Sequence, residues 1–390
     1  MFFYTLIKIK RFWFVLLLPL SAILTALAHR YPHLTERWFS QGIYRIFTEI
    51  YGRVFGYLPF SVSQFLIILF PLIAIAYVVY EIWSIFTKVA CLSCETEYIC
   101  PKRRLQLENG HHFHGCKKYF ARLLATTGCT VGIIAFTFTI FAGLNYARLE
   151  FGEIIGLDIR PSYVEELVAL AEVLAESANE WGAQVNRNAY GEMILSTSHF
   201  RTAHEARAVF SGAAEEFPVL EGFVPIAKPI IYSHFMSRLR ITGIYSPFTM
   251  EAHVNIHVPD YHIPATMLHE LAHFRGIMRE DEANFIAWLT GIRSDNPDFA
   301  YSSAMMALVH TVNQLNRVSP DDFRIIMNSL SVGVHTDLAA NRAYWQQFTG
   351  PLAEISTAAN DRYLRANRQQ DGVASYGQMV DLLLAYFRNI

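Results

Sequence analysis

The chain has 390 residues, a formal net charge of −2, 53% hydrophobic residues and a mean hydropathy of +0.23, an apolar content too high for a disordered chain or a wholly soluble one. The small net charge hides two unlike halves: residues 1–149 carry 15 Lys+Arg against 6 Asp+Glu (+9), and residues 150–390 carry 17 against 28 (−11). The acidic half has no basic arm and no aromatic-basic stripe, so nucleic acid is not an expected partner.

Three apolar runs come first, at about 12–28, 65–84 and 125–146. Each approaches the roughly 20 residues that a helix needs to cross the hydrocarbon core. All three lack charge over most of their length, which predicts transmembrane helices in a lipid bilayer rather than buried helices of a soluble core. The first run also resembles a signal peptide, with Lys8, Lys10 and Arg11 ahead of it and Ala26-Leu27-Ala28 as a cleavage-like end. Ten Lys or Arg lie before the first run or in the 85–124 loop, against four (Arg30, Arg37, Arg45, Arg53) between runs one and two. That bias predicts a cytoplasmic N-terminus and 85–124 loop, with everything after about residue 148 outside.

The five cysteines fit this placement. Cys91, Cys94, Cys100, Cys116 and Cys129 all fall in the cytoplasmic loop or the start of the third run, a reducing setting, and the outer part is left without disulfides. Cys91 and Cys94 have CxxC spacing, and Cys116 with a histidine of HHFHGC (111–116) would complete four zinc ligands. The spacing is irregular, and an unstructured basic-polar loop is the alternative.

Residues 1–148 thus read as a membrane domain and 149–390 as an extracytoplasmic one. After a linker at 149–162, segments 161–181 and 197–217 have apolar residues at helical spacing. Residues 229–248 turn β-branched and aromatic, and MEAHVNIHV (250–258) alternates, so both read as extended. From Pro264 the pattern is helical, with breaks at Gly276, Asn296-Pro297, Ser319-Pro320, Gly350-Pro351 and Gly372. The fold class is α+β: three transmembrane helices, then a mostly helical domain with a small sheet.

The chemistry concentrates in LHELAHFRGIMREDEANF (268–285). His269 and His273 are four apart, on one helix face, and can offer two imidazoles to one ion. Glu270 is then the candidate general base for water at a catalytic zinc, which keeps an open fourth position. On an unbroken helix Glu280 would lie about 10 Å beyond His273. Gly276 offers a left-handed break, after which a second helix from near Arg279 brings a carboxylate back. Glu280 is the expected third ligand, Glu282 its rival, and Asn284 the residue that orients a ligand histidine.

HELAH followed by EDEAN resembles the gluzincin zinc metallopeptidases, marked by HExxH and a Glu on a following helix. PFTMEAHVN (247–255), HELAHFRG and EDEANF together are similar to a bacterial family of membrane proteins of unknown function with an extracytoplasmic zincin-like domain, and YLRANRQQDGVASYGQMVDLL (363–383) is a weaker echo of it. The resemblance implies one catalytic Zn²⁺ and hydrolysis of a peptide or protein substrate at a bacterial cell membrane. It makes His269, His273 and Glu280 ligands and Glu270 the catalytic glutamate. The gap from His273 to Glu280 is shorter than in most gluzincins, and Asn284 stands where many have Asp. Arg279 occupies the position of the third histidine of metzincins, against that class.

Zincins pair an extended substrate with an edge strand, and MEAHVNIHV is the candidate, with His253, Asn255 and His257 on one face. Tyr301, His310 and Tyr344 are open as transition-state stabilisers, and Tyr363 and Asp371 read as packing or turn residues. An intramembrane protease is disfavoured, because the motif lies beyond all three spans. The alternative from another class is a catalytically silent zinc-binding surface or sensor domain, its fourth position closed by Asp281 or Glu282.

Overall fold

In the N-terminal third the apolar runs become helices: a 3-10 turn Lys10–Leu16 leading into Leu17–Arg30, then Val62–Ser93 and His111–Phe141. This computed structural model describes residues 2–93 and 111–388. Segments Lys10–Arg30, Val62–Tyr80 and Ala121–Phe141 are long and apolar enough to cross a membrane, and only 11%, 11% and 17% of them is buried. Core helices of a soluble protein would be covered, so the exposed apolar surface belongs to lipid. The chain is a multi-pass membrane protein. The metal reading of Cys91, Cys94 and Cys116 lies outside the described residues.

Contacts divide the chain into two units, Met1–Leu27 with Val62–Ile140, and Ala28–Ser61 with Phe141–Ile390. The segment between the first two spans therefore folds with the C-terminal part. It is helical from Pro32 to Gly56, alternating α turns (Pro32–Leu34, Tyr44–Phe47, Arg53–Gly56) with π turns (Thr35–Ile43, Thr48–Gly52). An α-helix has 3.6 residues per turn, and a π turn, with its longer hydrogen-bond step, about 4.4. The mixture averages close to four, which is the period of the buried stripe Glu36, Ser40, Tyr44, Thr48 and Gly52. On a pure α-helix that stripe would wind away from the core by about 40° at each turn.

Two buried polar ties fix this helix in the second unit. Arg148 makes a two-pronged pair with Glu36 at 2.7 and 2.8 Å. Lys228 bonds the carbonyls of Phe55 and Phe60 and the carboxylate of Glu251.

We number the longer helices of this unit from Val164: α1 (Val164–Gly182), α2 (His199–Gly212), α3 (Ile263–Phe274), α4 (Glu280–Gly291), α5 (Pro297–Val318), α6 (Pro320–Ser329), α7 (Val332–Gln346), α8 (Pro351–Ala366) and α9 (Met379–Arg388). The breaks fall where glycine and proline place them in the sequence. Helices α1 and α5 pack along their lengths, and α3 is covered by α2, α4, α5 and the sheet, so that all twelve of its residues are buried. Its Leu268 and Leu271 have no exposed surface, and full burial of each stabilises the fold by about 1.5–3 kcal/mol.

The sheet differs from expectation in two ways. Strands β1 (Lys228–Pro229), β2 (Gly243–Ser246) and β3 (Glu251–Val254) lie in the order β1-β3-β2, with β1 parallel and β2 antiparallel to β3. MEAHVNIHV therefore supplies the central strand, both of its edges are taken, and it cannot receive a substrate strand. Glu251, His253 and Asn255 are internal, with His253 Nε2 bonding Ser61 at 2.7 Å and Asn255 donating to Ser237 and to the Ile241 carbonyl, while His257 is exposed. The other difference is a short helix, Ser233–Arg238, within the segment read as extended. Ser233, Met236 and Ser237 are buried at helical spacing there, a signal masked by the β-branched residues on either side.

Candidate metal centre

Helix α3 ends as the sequence requires. Gly276 has φ +81°, and two hydrogen bonds close the turn, Gly276 N–H to the His273 carbonyl (2.9 Å) and Ile277 N–H to the Ala272 carbonyl (3.1 Å). This is the Schellman arrangement, in which a left-handed residue satisfies the last carbonyls of a helix. It swings the Ile277 carbonyl back to His273 Nδ1 at 2.7 Å. With Nδ1 holding the proton for that bond, the neutral ring has its lone pair on Nε2, directed away from the turn.

Three residues later α4 begins with Glu280. Its Oε2 lies 3.1 Å from His269 Nε2 and 3.4 Å from His273 Nε2. The three ligand atoms all fall within 4.8 Å of one another, and all three side chains are buried. Two imidazoles and a carboxylate, with Glu280 Oε2 otherwise without a hydrogen-bond partner, are a donor set that fits a divalent transition metal such as zinc. The buried His269, Glu270, His273 and Glu280 match an HExxH-plus-Glu, gluzincin-like metal site.

The charges of the cluster are strongly interdependent. Burial opposes ionisation of Glu280, but His273 and His269 outweigh it and hold the carboxyl well below its ordinary range. Burial also opposes charging of His273, yet Glu280 and then Glu270 lift it to about 9, while burial keeps His269 below the ordinary imidazole value. The proton shared by the pair thus resides on His273. Glu270, buried and near Glu280, is pushed up to about 8, with His273 opposing the shift.

Glu270 points to β2 and not to its α4 neighbours. A cavity of about 200 Å³ opens beside it, lined by His269, Thr266, Met305, Met306, His310 and Tyr376 among others. Position 243 must be glycine for the carboxylate to lie there, since a Cβ would stand 2.3 Å from Glu270 Oε1 and 2.7 Å from Thr266 Cγ2. Tyr376 stacks near-parallel to His269, with ring centroids 6.5 Å apart, and its hydroxyl, which accepts from Asn360 at 3.5 Å, interacts with Glu280. Tyr245 tilts over His273 from the other side, 6.4 Å between centroids.

The remaining sequence candidates separate clearly. Glu282 is engaged elsewhere, accepting from Arg279 at 2.9 Å and from the Phe151 N–H at 2.7 Å. Asn284 donates to the Tyr376 carbonyl and lies beside His269, although no atom of it meets His269 Nδ1 in hydrogen-bond geometry. His310 faces the cavity, where burial and then His269 lower it to about 4. Tyr301 and Tyr344 are elsewhere, the first donating to Asp337, the second bonded to Ser237 and His257. Asp371 accepts from Gln378 beside a turn, and Tyr363 meets Tyr146 at 3.0 Å.

Three participants escaped the sequence reading. Tyr376 lies inside the C-terminal echo, so a signal existed. Gly243 had none. Tyr44, between the first two spans, donates to the Phe274 carbonyl at 3.2 Å, meets Tyr245 OH at 3.1 Å and packs against Gly276. Nothing local to position 44 points to a turn 230 residues away.

A family model described as "Protein of unknown function (DUF3810)" matches residues 39–384. The chain belongs to this family. The match runs from the helix between the first two spans to α9 and includes every residue of the metal centre. No curated protein and no solved structure matches the chain. Membership of the DUF3810 family therefore brings no activity with it, and the site's own chemistry must supply the functional reading.

Proposed function

We propose that this DUF3810 protein is a membrane-anchored zinc metallopeptidase, with His269, His273 and Glu280 as ligands and Glu270 as general base. The observation that carries this reading is the convergence of three ligand atoms within 4.8 Å, on the HExxH helix and the one after it, beside a cavity that Glu270 also lines. Zinc bound there would supply a Lewis acid to polarise a peptide carbonyl and lower the pKa of water. Among the described residues only three His, Cys, Asp or Glu side chains gather, which favours an open catalytic site over a closed structural one. Asp281 is not in the cluster, and Glu282 is taken by Arg279, so neither supports the silent-sensor alternative.

The protein's groups have separable roles in this reading. The Ile277 carbonyl fixes the His273 tautomer, and Asn284 acts beside His269. Glu270, adjacent in sequence to a ligand yet turned to the cavity, takes the proton from attacking water and passes it to the leaving amine. Tyr376, on the cavity wall beside His269, would donate a hydrogen bond to the developing oxyanion. The substrate is a peptide or protein. The positive-inside bias supports a cytoplasmic N-terminus and an extracytoplasmic C-terminal part, residues 149–390, in a bacterial membrane.

The test uses the full chain in detergent, with metal content and hydrolysis of a quenched peptide library measured for wild type and Glu270→Gln. The expected result is one zinc in each and chelator-sensitive turnover only in wild type. Wild type that holds one zinc but hydrolyses no peptide, cell-wall peptides included, would sink the proposal.

A further inference from the structure

The helix Pro32–Gly56 has a second face. Opposite its buried stripe, Leu34, Trp38, Ile46, Ile50 and Val54 are each more than half exposed, and Tyr57 and Phe60 continue the row. These residues keep the same period of nearly four, so the α/π alternation that aligns one stripe with the core aligns the other away from it. An isolated exposed isoleucine needs no explanation, but an apolar row on one helix, interrupted only at Gly42, marks a surface that something covers.

We propose that the lipid bilayer covers it, and that residues 32–56 form an in-plane helix seated in the interfacial layer of the membrane. Continuity argues for this occupant: the helix follows the span that ends at Arg30 and precedes the one that starts at Val62, so both its ends are tied to the membrane. Its composition is that of an interfacial helix. Trp38, Tyr31, Tyr51 and Tyr57 are exposed aromatics suited to headgroup depth, and Arg37 is an exposed cation suited to anionic lipid, while Arg53 is paired with Glu49. Ile46 and Ile50 also border a cavity of about 370 Å³ whose charged lining is mixed, Arg45 and Arg275 with Glu49 and Glu221.

The inference does not depend on peptidase activity. Tyr44, on the core face, holds the Phe274–Gly276 turn that joins the two halves of the site.

The experiment is spin labelling of the full chain in phosphatidylcholine/phosphatidylglycerol liposomes, with its five cysteines replaced by serine. The variants Ile46→Cys, Ile50→Cys and Val54→Cys are compared with Tyr190→Cys, at an exposed position in the loop after α1. We expect the ratio of oxygen to nickel-chelate accessibility at 46, 50 and 54 to exceed that at 190 by at least about threefold. A ratio equal to that at 190 means a water-facing surface and overturns the proposal. Labels immobilised and shielded from both reagents mean a protein partner or a second copy and overturn it as well. Photo-crosslinking from benzoylphenylalanine at the same positions, with the native cysteines retained, is independent of the serine background. Lipid adducts are expected, and crosslinked dimers alone would count against the bilayer.

Discussion

The Glu270 carboxylate fills the space that a side chain at Gly243 would need, with a Cβ there standing 2.3 Å from Oε1. A strand glycine therefore sets the direction of the proposed base. Gly243→Ala is expected to retain its metal, because Glu270 is not among the three clustered ligands, and to lose about 10–100-fold in kcat. Glu270→Gln should lose about 10²–10⁴-fold, the usual contribution of a general base. Full activity in Gly243→Ala would show that this contact has no part in positioning the carboxylate.

The two candidate carboxylates should fail differently. Glu280→Ala removes the oxygen that faces both imidazoles and is expected to abolish stoichiometric zinc. Glu282→Ala should retain zinc but destabilise the fold by about 3–5 kcal/mol, because it strips a largely buried Arg279 of its partner. Metal analysis with thermal unfolding distinguishes the two, and loss of zinc in the Glu282 variant alone would reverse the assignment.

Zinc affinity should depend on pH through His273. In the metal-free protein its pKa stands at about 9, above the ordinary 6.5, because Glu280 and Glu270 outweigh burial. A raised pKa gives stability that is complete below about 6.5 and is lost as pH rises through about 9. Glu270, raised by burial to about 8, adds stability complete below its unfolded pKa of 4.5 and lost through about 8. The stripped protein should therefore unfold more easily at pH 9 than at pH 7. Because zinc needs the neutral imidazole, its affinity should climb by up to about tenfold per unit from pH 7 towards 9. Calorimetry in buffers of different ionisation enthalpy should register about one proton released per ion, and a flat affinity profile would contradict the charge state given to His273.

Tyr376 and His310 both face the cavity, and they are separable. If Tyr376 supports the oxyanion, Tyr376→Phe lowers kcat by about 10–100-fold with KM and zinc little changed. His310→Ala should have a smaller effect on kcat. Steady-state kinetics on the two variants decides the assignment, and the opposite ranking would move the role to His310.

Tyr44 makes the helix between the spans a structural part of the metal site. Tyr44→Phe removes the bonds to Phe274 and Tyr245 and is expected to destabilise the protein by about 1–3 kcal/mol. A fragment of residues 149–390 would lack Tyr44, Glu36 and Arg148 together, and should bind zinc weakly or aggregate. A soluble, zinc-loaded 149–390 fragment would show that the helix is dispensable.

The local parts of this protein were determined by its sequence. Apolar runs specify three spans because a bilayer admits little else of that length. The i, i+4 histidines share a face because helices have that period, and Gly276 breaks α3 because a left-handed turn suits glycine. Those features brought Glu280 to the histidines without reference to anything beyond residue 291. What remained was decided by contacts between segments distant in the chain. The alternation of MEAHVNIHV identifies a strand, but its place between β1 and β2 depends on segments that pair with it from outside, so its assignment as an edge was wrong. Glu280 and Glu282 have equal claims as short-range carboxylates, and only the packing of Arg279 and Phe151 engages one of them. Gly243, Tyr376 and Tyr44 lie 27, 106 and 226 positions from Glu270, and no periodicity of one helix or strand carries information over such distances.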